Sequence, residues 1–160
     1  MSSTAAESAA GDTVMQLVTF RLRDETYGIN VMQVQEVLRV SEIAPVPGAP
    51  GYVLGIINLR GNVVTVVDTR TRFGLPTTEV DDASRIVIIE SDNQVVGILV
   101  DSVAEVVELH HSEIDSVPSV GNEEASRYIQ GVTSRDDGLL IVVDLNKLLT
   151  EQEWSEIATI

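Results

Sequence analysis

The sequence has no cysteine, which excludes a disulfide scaffold, a thiolate zinc centre, an iron–sulfur cluster and a cysteine nucleophile. Lysine is nearly missing as well: Lys147 is the sole one, leaving almost no material for a phosphate-binding loop or a Schiff base. The two histidines, His110 and His111, are adjacent. On an extended strand neighbouring side chains point to opposite faces, so this pair cannot clamp one metal. No apolar run approaches the roughly 18 residues that cross a bilayer. The nucleophile-elbow, zinc-protease and phosphate-loop patterns are absent. Residues 1–13 are Ser/Ala-rich and lack the basic and apolar regions of a signal peptide. They read as a disordered tail on a cytoplasmic protein.

Against these absences stand 25 acidic and 10 basic residues, a formal charge of −15, and 44% hydrophobic residues. That much apolar material specifies a folded core despite the charge. The acidity argues against nucleic acid and against an anionic membrane surface, both of which select cationic proteins. Asp81-Asp82 and Glu123-Glu124 lack the spacing of a calcium loop and read as solvated charge. Neither a cofactor nor a metal is implied. With a core and no reactive constellation, the chain reads as a binding module and not as an enzyme.

The chain also repeats itself. Gly28-Ile29-Asn30-Val31-Met32-Gln33-Val34-Gln35-Glu36-Val37 and Gly97-Ile98-Leu99-Val100-Asp101-Ser102-Val103-Ala104-Glu105-Val106 share six of ten positions at an offset of 69. Ordinary residue frequencies give about one such identity by chance. Val46-Pro47 matches Val117-Pro118 at an offset of 71. Tyr52-Val53-x-Gly55-Ile56 matches Tyr128-Ile129-x-Gly131-Val132 at 76, which also carries Val66-Val67-Asp68 onto Val142-Val143-Asp144. Three blocks in one order define a duplication. It predicts one subdomain over residues 14–80 and a second over 81–150. Each is near the size at which a lone core is marginal, so the two are expected to pack together and leave a groove where they meet.

The local pattern is mostly strand. Residues 17–22, 27–31, 86–89 and 95–100 form two hairpins, the second turning at Asp92-Asn93. Two more flank Gly61-Asn62 and Asp137-Gly138, residue pairs that accept the positive φ of tight turns. Short Val/Ile-rich strands with regular turns predict small β-barrels. Residues 32–38 and 144–149 are expected to make short helices. Thr150 and Glu153 form a capping box for a C-terminal helix over residues 151–160. Its Trp154, Ile157 and Ala158 face is expected to cover an open barrel end.

Positions that differ between the two copies are free for function. Asn58-Leu59-Arg60-Gly61 aligns with Ser134-Arg135-Asp136-Asp137, so Arg60 has no counterpart. Its guanidinium can reach a partner's carboxylate bidentately, or it can serve the turn through solvent or an internal salt bridge. Val34 and Glu36 recur as Val103 and Glu105, which also suits a scaffold role. Gly28 and Gly97 fall inside strands and mark close backbone approach.

Tyr27-Gly28-Ile29-Asn30 followed by Val34-Gln35-Glu36-Val37 resembles the opening signature of the chemotaxis coupling protein (CheW) family. Gly55-Ile56-Ile57-Asn58-Leu59-Arg60-Gly61-Asn62, Val96-Gly97-Ile98-Leu99-Val100-Asp101-Ser102-Val103 and Val143-Asp144-Leu145-Asn146-Lys147-Leu148-Leu149 extend the resemblance over about residues 14–157. The resemblance implies an all-β fold: two five-stranded, SH3-like barrels with short helices and a C-terminal helix. It implies a non-enzymatic adaptor linking chemoreceptor cytoplasmic tips to the CheA histidine kinase in membrane-associated arrays. Carried onto this chain, the receptor groove comprises Val31, Val34, Glu36, Arg60, Gly97 and Val103. The partners would be the receptor's helical hairpin tip and the kinase's regulatory domain, with no nucleic acid and no membrane insertion. An adaptor of a parallel surface-motility or second-messenger pathway fits the same pattern. A small-molecule-binding barrel is the alternative from another class.

Overall fold

The computed structural model describes residues 13–76, 79–91, 94–115, 128–135 and 138–158. Residues 1–12 of the expected tail, the Asp92-Asn93 turn, Val117-Pro118, Glu123-Glu124 and Asp137 lie outside them, whereas Thr13, at the end of that tail, is described and its carbonyl accepts the His111 N–H at 2.8 Å. Among the described residues ten strands run in chain order: β1 (Val14–Leu22), β2 (Glu25–Asn30), β3 (Val34–Arg39), β4 (Val53–Leu59), β5 (Asn62–Asp68), β6 (Arg85–Ser91), β7 (Gln94–Val100), β8 (Ser102–His110), β9 (Ile129–Arg135) and β10 (Gly138–Val143). A short helix α1 (Thr69–Arg72) follows β5, and α2 (Glu151–Ala158) ends the described chain. Residues 31–33 and 145–147 are single 3-10 turns, each capped by the preceding side chain, Asn30 or Asp144. Where a helix was expected over 32–38, the chain is already β3 from Val34. Its alternation of half-buried and exposed residues is the period of a strand on a sheet edge.

The strands form two five-stranded sheets, ordered β9-β10-β2-β1-β8 and β3-β6-β7-β5-β4. This corrects the division at residue 80. Residues 14–80 supply β1 to β5 and residues 81–150 supply β6 to β10, but the first hairpin of each half lies in the other half's sheet. β2 pairs in parallel with β10, and β7 in parallel with β5. The physical reason is visible in the hairpins themselves. Ile86, Val87, Ile88 and Ile89 are consecutive and all fully buried, so β6 must be covered on both faces. Only a central position in a sheet packed on both sides provides that.

The exchange preserves the repeat residue by residue. Val34 pairs with Ile89 and Val37 with Val87 in one sheet; Val103 pairs with Phe20 and Val106 with Val18 in the other. Each pair of strands carries its β-bulge at the same step. Beyond β3 and β8 the chain crosses to the far edge of its own sheet. Ala44 and Ile56 exchange two backbone hydrogen bonds (2.9 and 2.8 Å), as do Asp115 and Val132 (2.8 and 2.9 Å). These bridges close each sheet on itself, consistent with two SH3-like barrels. Gly55 and Gly131 permit them. A Cβ on Gly55 would lie 2.3 Å from the Ala44 carbonyl oxygen, and one on Gly131 would lie 2.6 Å from that of Asp115.

Three apolar clusters follow from the alternation of side chains. Leu17, Leu140 and Val142 fill one barrel, and Val66, Ile86 and Ile88 fill the other. The largest cluster lies between the sheets. It takes Phe20, Tyr27 and Ile29 from one and Val67, Val87, Ile89 and Ile98 from the other. Phe73, just after α1, stacks on Tyr128 with centroids 4.5 Å apart and packs against Tyr27 at 5.1 Å. α2 starts with the expected capping box: Thr150 N–H donates to Glu153 Oε1 and Glu153 N–H to Thr150 Oγ1. Its Ile157 is buried and Trp154 half-buried against the shared cluster, whereas Ala158 is exposed. The helix therefore covers the layer between the sheets and not an open barrel end.

Two part-buried ion pairs join distant segments. Arg72 meets Glu153 through two hydrogen bonds of 2.9 and 2.7 Å and also donates to the Leu148 carbonyl. Arg70 meets Asp101, whose Oδ2 accepts the Arg23 N–H at 2.7 Å. Burial disfavours both charged carboxylates. Arg70 and the Arg23 amide outweigh it at Asp101, and the Thr150 amide with Arg72 outweighs it at Glu153, so both carboxyls titrate below their ordinary values.

Two predictions follow from this packing. Gly55→Ala and Gly131→Ala each force backbone apart at a closing bridge and should cost roughly 1–3 kcal/mol, the usual range for overpacking. Gly51→Ala, with open space around its Cβ, should leave the melting temperature unchanged in the same thermal scans. The depressed carboxyls add stability that is whole above their ordinary values of 4.5 and 3.8 and is lost as pH falls through the lower folded values. Urea midpoints measured from pH 6 to pH 3 should therefore fall less steeply for Glu153→Gln and Asp101→Asn than for the unaltered chain.

Candidate docking groove

Val31, Val34 and Val103 share one environment. Each is half-buried and packs against the edge of the cluster between the sheets. Val31 occupies the 3-10 turn that leaves β2, and Val34 begins β3 directly after it. Val103 is the repeat counterpart of Val34, set opposite Phe20 as Val34 is set opposite Ile89. Each valine thus presents part of an aliphatic side chain to the exterior while the rest is anchored in the core. Such residues supply apolar contact area with little rotamer freedom to lose.

Glu36 and Arg60 come together although they are 24 residues apart. Glu36 sits past the bulge of β3, and Arg60 follows β4 at the other edge of the same sheet. Closure of the barrel brings them into a two-point ion pair, with Arg60 Nη1 donating to Glu36 Oε1 at 3.3 Å and Nη2 donating to Oε2. Arg60's hydrogen bond holds the Glu36 carboxyl below its ordinary value. The pair is superficial: the Arg60 side chain is 68% exposed, so its remaining donors face outward. The turn is Arg60-Gly61, not the expected Gly61-Asn62. Arg60 has φ of 51° and Gly61 of 88°, the two positive values of a type I′ hairpin turn. Arg60 therefore holds a backbone conformation that ordinarily selects Gly or Asn.

Gly97 stands apart from the other five. It is buried in mid-β7, paired with Val66 and Ile88. A Cβ there would lie 2.8 Å from Ile86 Cγ2, inside the barrel. Its place is in the barrel wall, and it offers no surface to a groove. Asp101 and Arg70, which tie α1 to the β1–β2 turn, were not singled out from sequence. The one sequence signal for them is that the repeat puts Met32 and Asn146 at the matching positions.

Comparison with known proteins agrees with this architecture. Residues 16–153 match the family described as the CheW-like domain. The chain is 33% identical over 156 residues to chemotaxis protein CheW of Treponema pallidum, covering 95% of this chain and 92% of that one. It is 34% identical over 137 residues to CheW of Bacillus subtilis, covering 86% and 88%. The crystal structure of scaffolding protein TtCheW from Thermoanaerobacter tengcongensis superposes with a TM-score of 0.77 at 33% identity, covering 85% of this chain and 92% of that one. Duplicated barrels, exchanged hairpins and these matches lead to one assignment: the chain belongs to the CheW-like domain family.

Proposed function

We propose that this protein is a non-enzymatic adaptor that couples the cytoplasmic tips of chemoreceptors to a CheA-type histidine kinase in bacterial chemotaxis arrays. The observation that carries the reading is family membership over nearly the whole chain, with relatives named as chemotaxis proteins and a solved neighbour named as a scaffold. The half-buried valines supply a physical means. Val31, Val34 and Val103 form the desolvated centre of a contact for the receptor's helical hairpin, which lays an apolar face along them. Glu36 and Arg60 set register at the rim, where exposed charges steer association more than they add affinity.

The kinase's regulatory domain engages a separate surface, so receptor and kinase bind together. Because the valines rest on the layer shared by both sheets, a receptor that shifts them also loads that layer. A change in receptor state then reaches the far side as a small shear between packed sheets. Among the described residues no helix is long and apolar enough to cross a membrane. In this reading the protein is cytoplasmic and is recruited to the membrane through the receptor.

Two substitutions separate the parts of this reading. Arg60→Gly removes the guanidinium while suiting the left-handed backbone, so the melting temperature should hold. Kinase activation in reconstituted receptor arrays should nevertheless drop severalfold; an unchanged response removes Arg60 from the coupling site. Val34→Asp should weaken binding of a receptor-tip fragment by about tenfold or more, the loss expected at the centre of an interface. Binding of the kinase regulatory domain, titrated separately, should change little, and equal losses would contradict the groove.

A further inference from the structure

The three docking valines share a place in the topology. Among the described residues the chain passes from one sheet to the other twice: at residues 31–33, between β2 and β3, and at Asp101, between β7 and β8. Val31 lies within the first crossing and Val34 at its exit, and Val103 lies two residues beyond the second. Val34 belongs to one sheet and Val103 to the other. A single partner surface meets all three only if the sheets keep a fixed relation at these crossings.

The second crossing is braced. Arg70, in α1 behind β5, donates through Nε to Asp101 Oδ1 at 2.9 Å and through Nη2 to Oδ2. Oδ2 also accepts the Arg23 N–H, and the Asp101 N–H donates to the Arg21 carbonyl at 3.0 Å. Asp101 is thus gripped by α1, which continues one sheet, and by the β1–β2 hairpin of the other. The two side chains are only 13% and 27% exposed, and a two-point charged contact there fixes direction as well as distance. Arg70 Nη1 is also committed, to the Pro76 carbonyl at 2.7 Å.

The first crossing has no such brace. The repeat places Met32 where Asp101 stands and Asn146 where Arg70 stands. The Met32 side chain is 86% exposed, and Asn146 Oδ1 instead accepts from Ser91 Oγ at 2.5 Å. Both barrels close all the same, through the bridges Ala44–Ile56 and Asp115–Val132. The architecture therefore does not require an ion pair at a crossing, and the one present is free for function.

We infer that Arg70 and Asp101 are positioning residues of the docking surface: their pair holds Val103, with the sheet that carries it, at the spacing from Val31 and Val34 that the receptor tip meets. They act through the valines and not by contact with the partner. The inference rests on the adaptor reading above. Its test titrates full-chain variants with a purified receptor-tip fragment and, separately, with the kinase regulatory domain. Arg70→Met and Asp101→Asn should each weaken receptor-tip binding about three- to tenfold, the loss of a prearranged surface, and should leave kinase-domain binding in place. The double variant should lose no more than the larger single loss, because the two residues act as one unit. Asp101→Asn keeps an acceptor for the Arg23 N–H, so it serves if Arg70→Met does not fold. Arg72→Met breaks the other part-buried ion pair of α1, whose bonds go to Glu153 and the Leu148 carbonyl and to neither crossing. It should lower the melting temperature and leave receptor-tip binding unchanged.

If the unaltered chain fails to bind the fragment, the adaptor reading falls and this inference with it. If it binds and the Arg70 and Asp101 variants bind equally well, only the positioning role is overturned. Equal losses from Arg70→Met and Arg72→Met, or equal losses against both partners, would reduce the pair to a stabilising contact and overturn the inference too.

Discussion

The apolar layer between the two sheets is the constraint on which the rest of the molecule depends. Phe20, Tyr27 and Ile29 meet Val67, Val87, Ile89 and Ile98 there, and nearly all are fully buried. Because the first hairpin of each half sits in the other half's sheet, neither barrel can close from one half alone. The layer is therefore a consequence of the exchange and not a contact between two finished domains. Small subdomains have too little interior to be stable singly, and interlocking them puts the missing interior between them. The two part-buried ion pairs and α2 fasten the margins of this layer; they do not create it.

The proposed docking surface lies at the margin of the same layer. Val31, Val34 and Val103 are among the half-buried residues through which it reaches the surface, anchored as well as apolar. A partner that binds there senses both sheets at once. This suits a protein whose proposed work is to pass contact and conformation between two others. The duplication adds freedom: each feature exists twice, so one copy can retain structure while the other changes. Arg60 with Glu36 closes one barrel's seam, and the matching positions, Asp136 and Glu105, carry like charge. Arg70 with Asp101 is an ion pair, and the matching positions, Asn146 and Met32, are neutral.

Much of this was legible in the sequence, for physical reasons. The offsets of 69 and 76 made the duplication legible, because the glycines they pair, Gly28 with Gly97 inside the barrels and Gly55 with Gly131 at the closing bridges, leave little room for a Cβ. Gly55 and Gly131 are such residues, each facing a carbonyl that leaves no room for a Cβ. The hairpin exchange was not legible. Strand order is a property of distant pairings, and Val66 with Gly97 leaves no mark on local periodicity. The four-residue run at Ile86–Ile89 was the available hint, since a strand apolar on both faces belongs in a sheet's centre. Of the six candidate groove residues, the three valines, Glu36 and Arg60 lie at the surface, while Gly97 does not. Its place inside a strand already marked Gly97 as a close-approach glycine, and only the family resemblance carried it into the groove. The Glu36–Arg60 pair itself needed barrel closure to be seen.

The most direct test of the docking account is a methyl-resolved NMR titration of the full chain with a receptor-tip fragment. The account predicts that the methyl resonances of Val31, Val34 and Val103 shift together, at one concentration of fragment, as the three meet a single helical surface. Saturating fragment that leaves those three unmoved while methyls elsewhere on the barrels shift would contradict it.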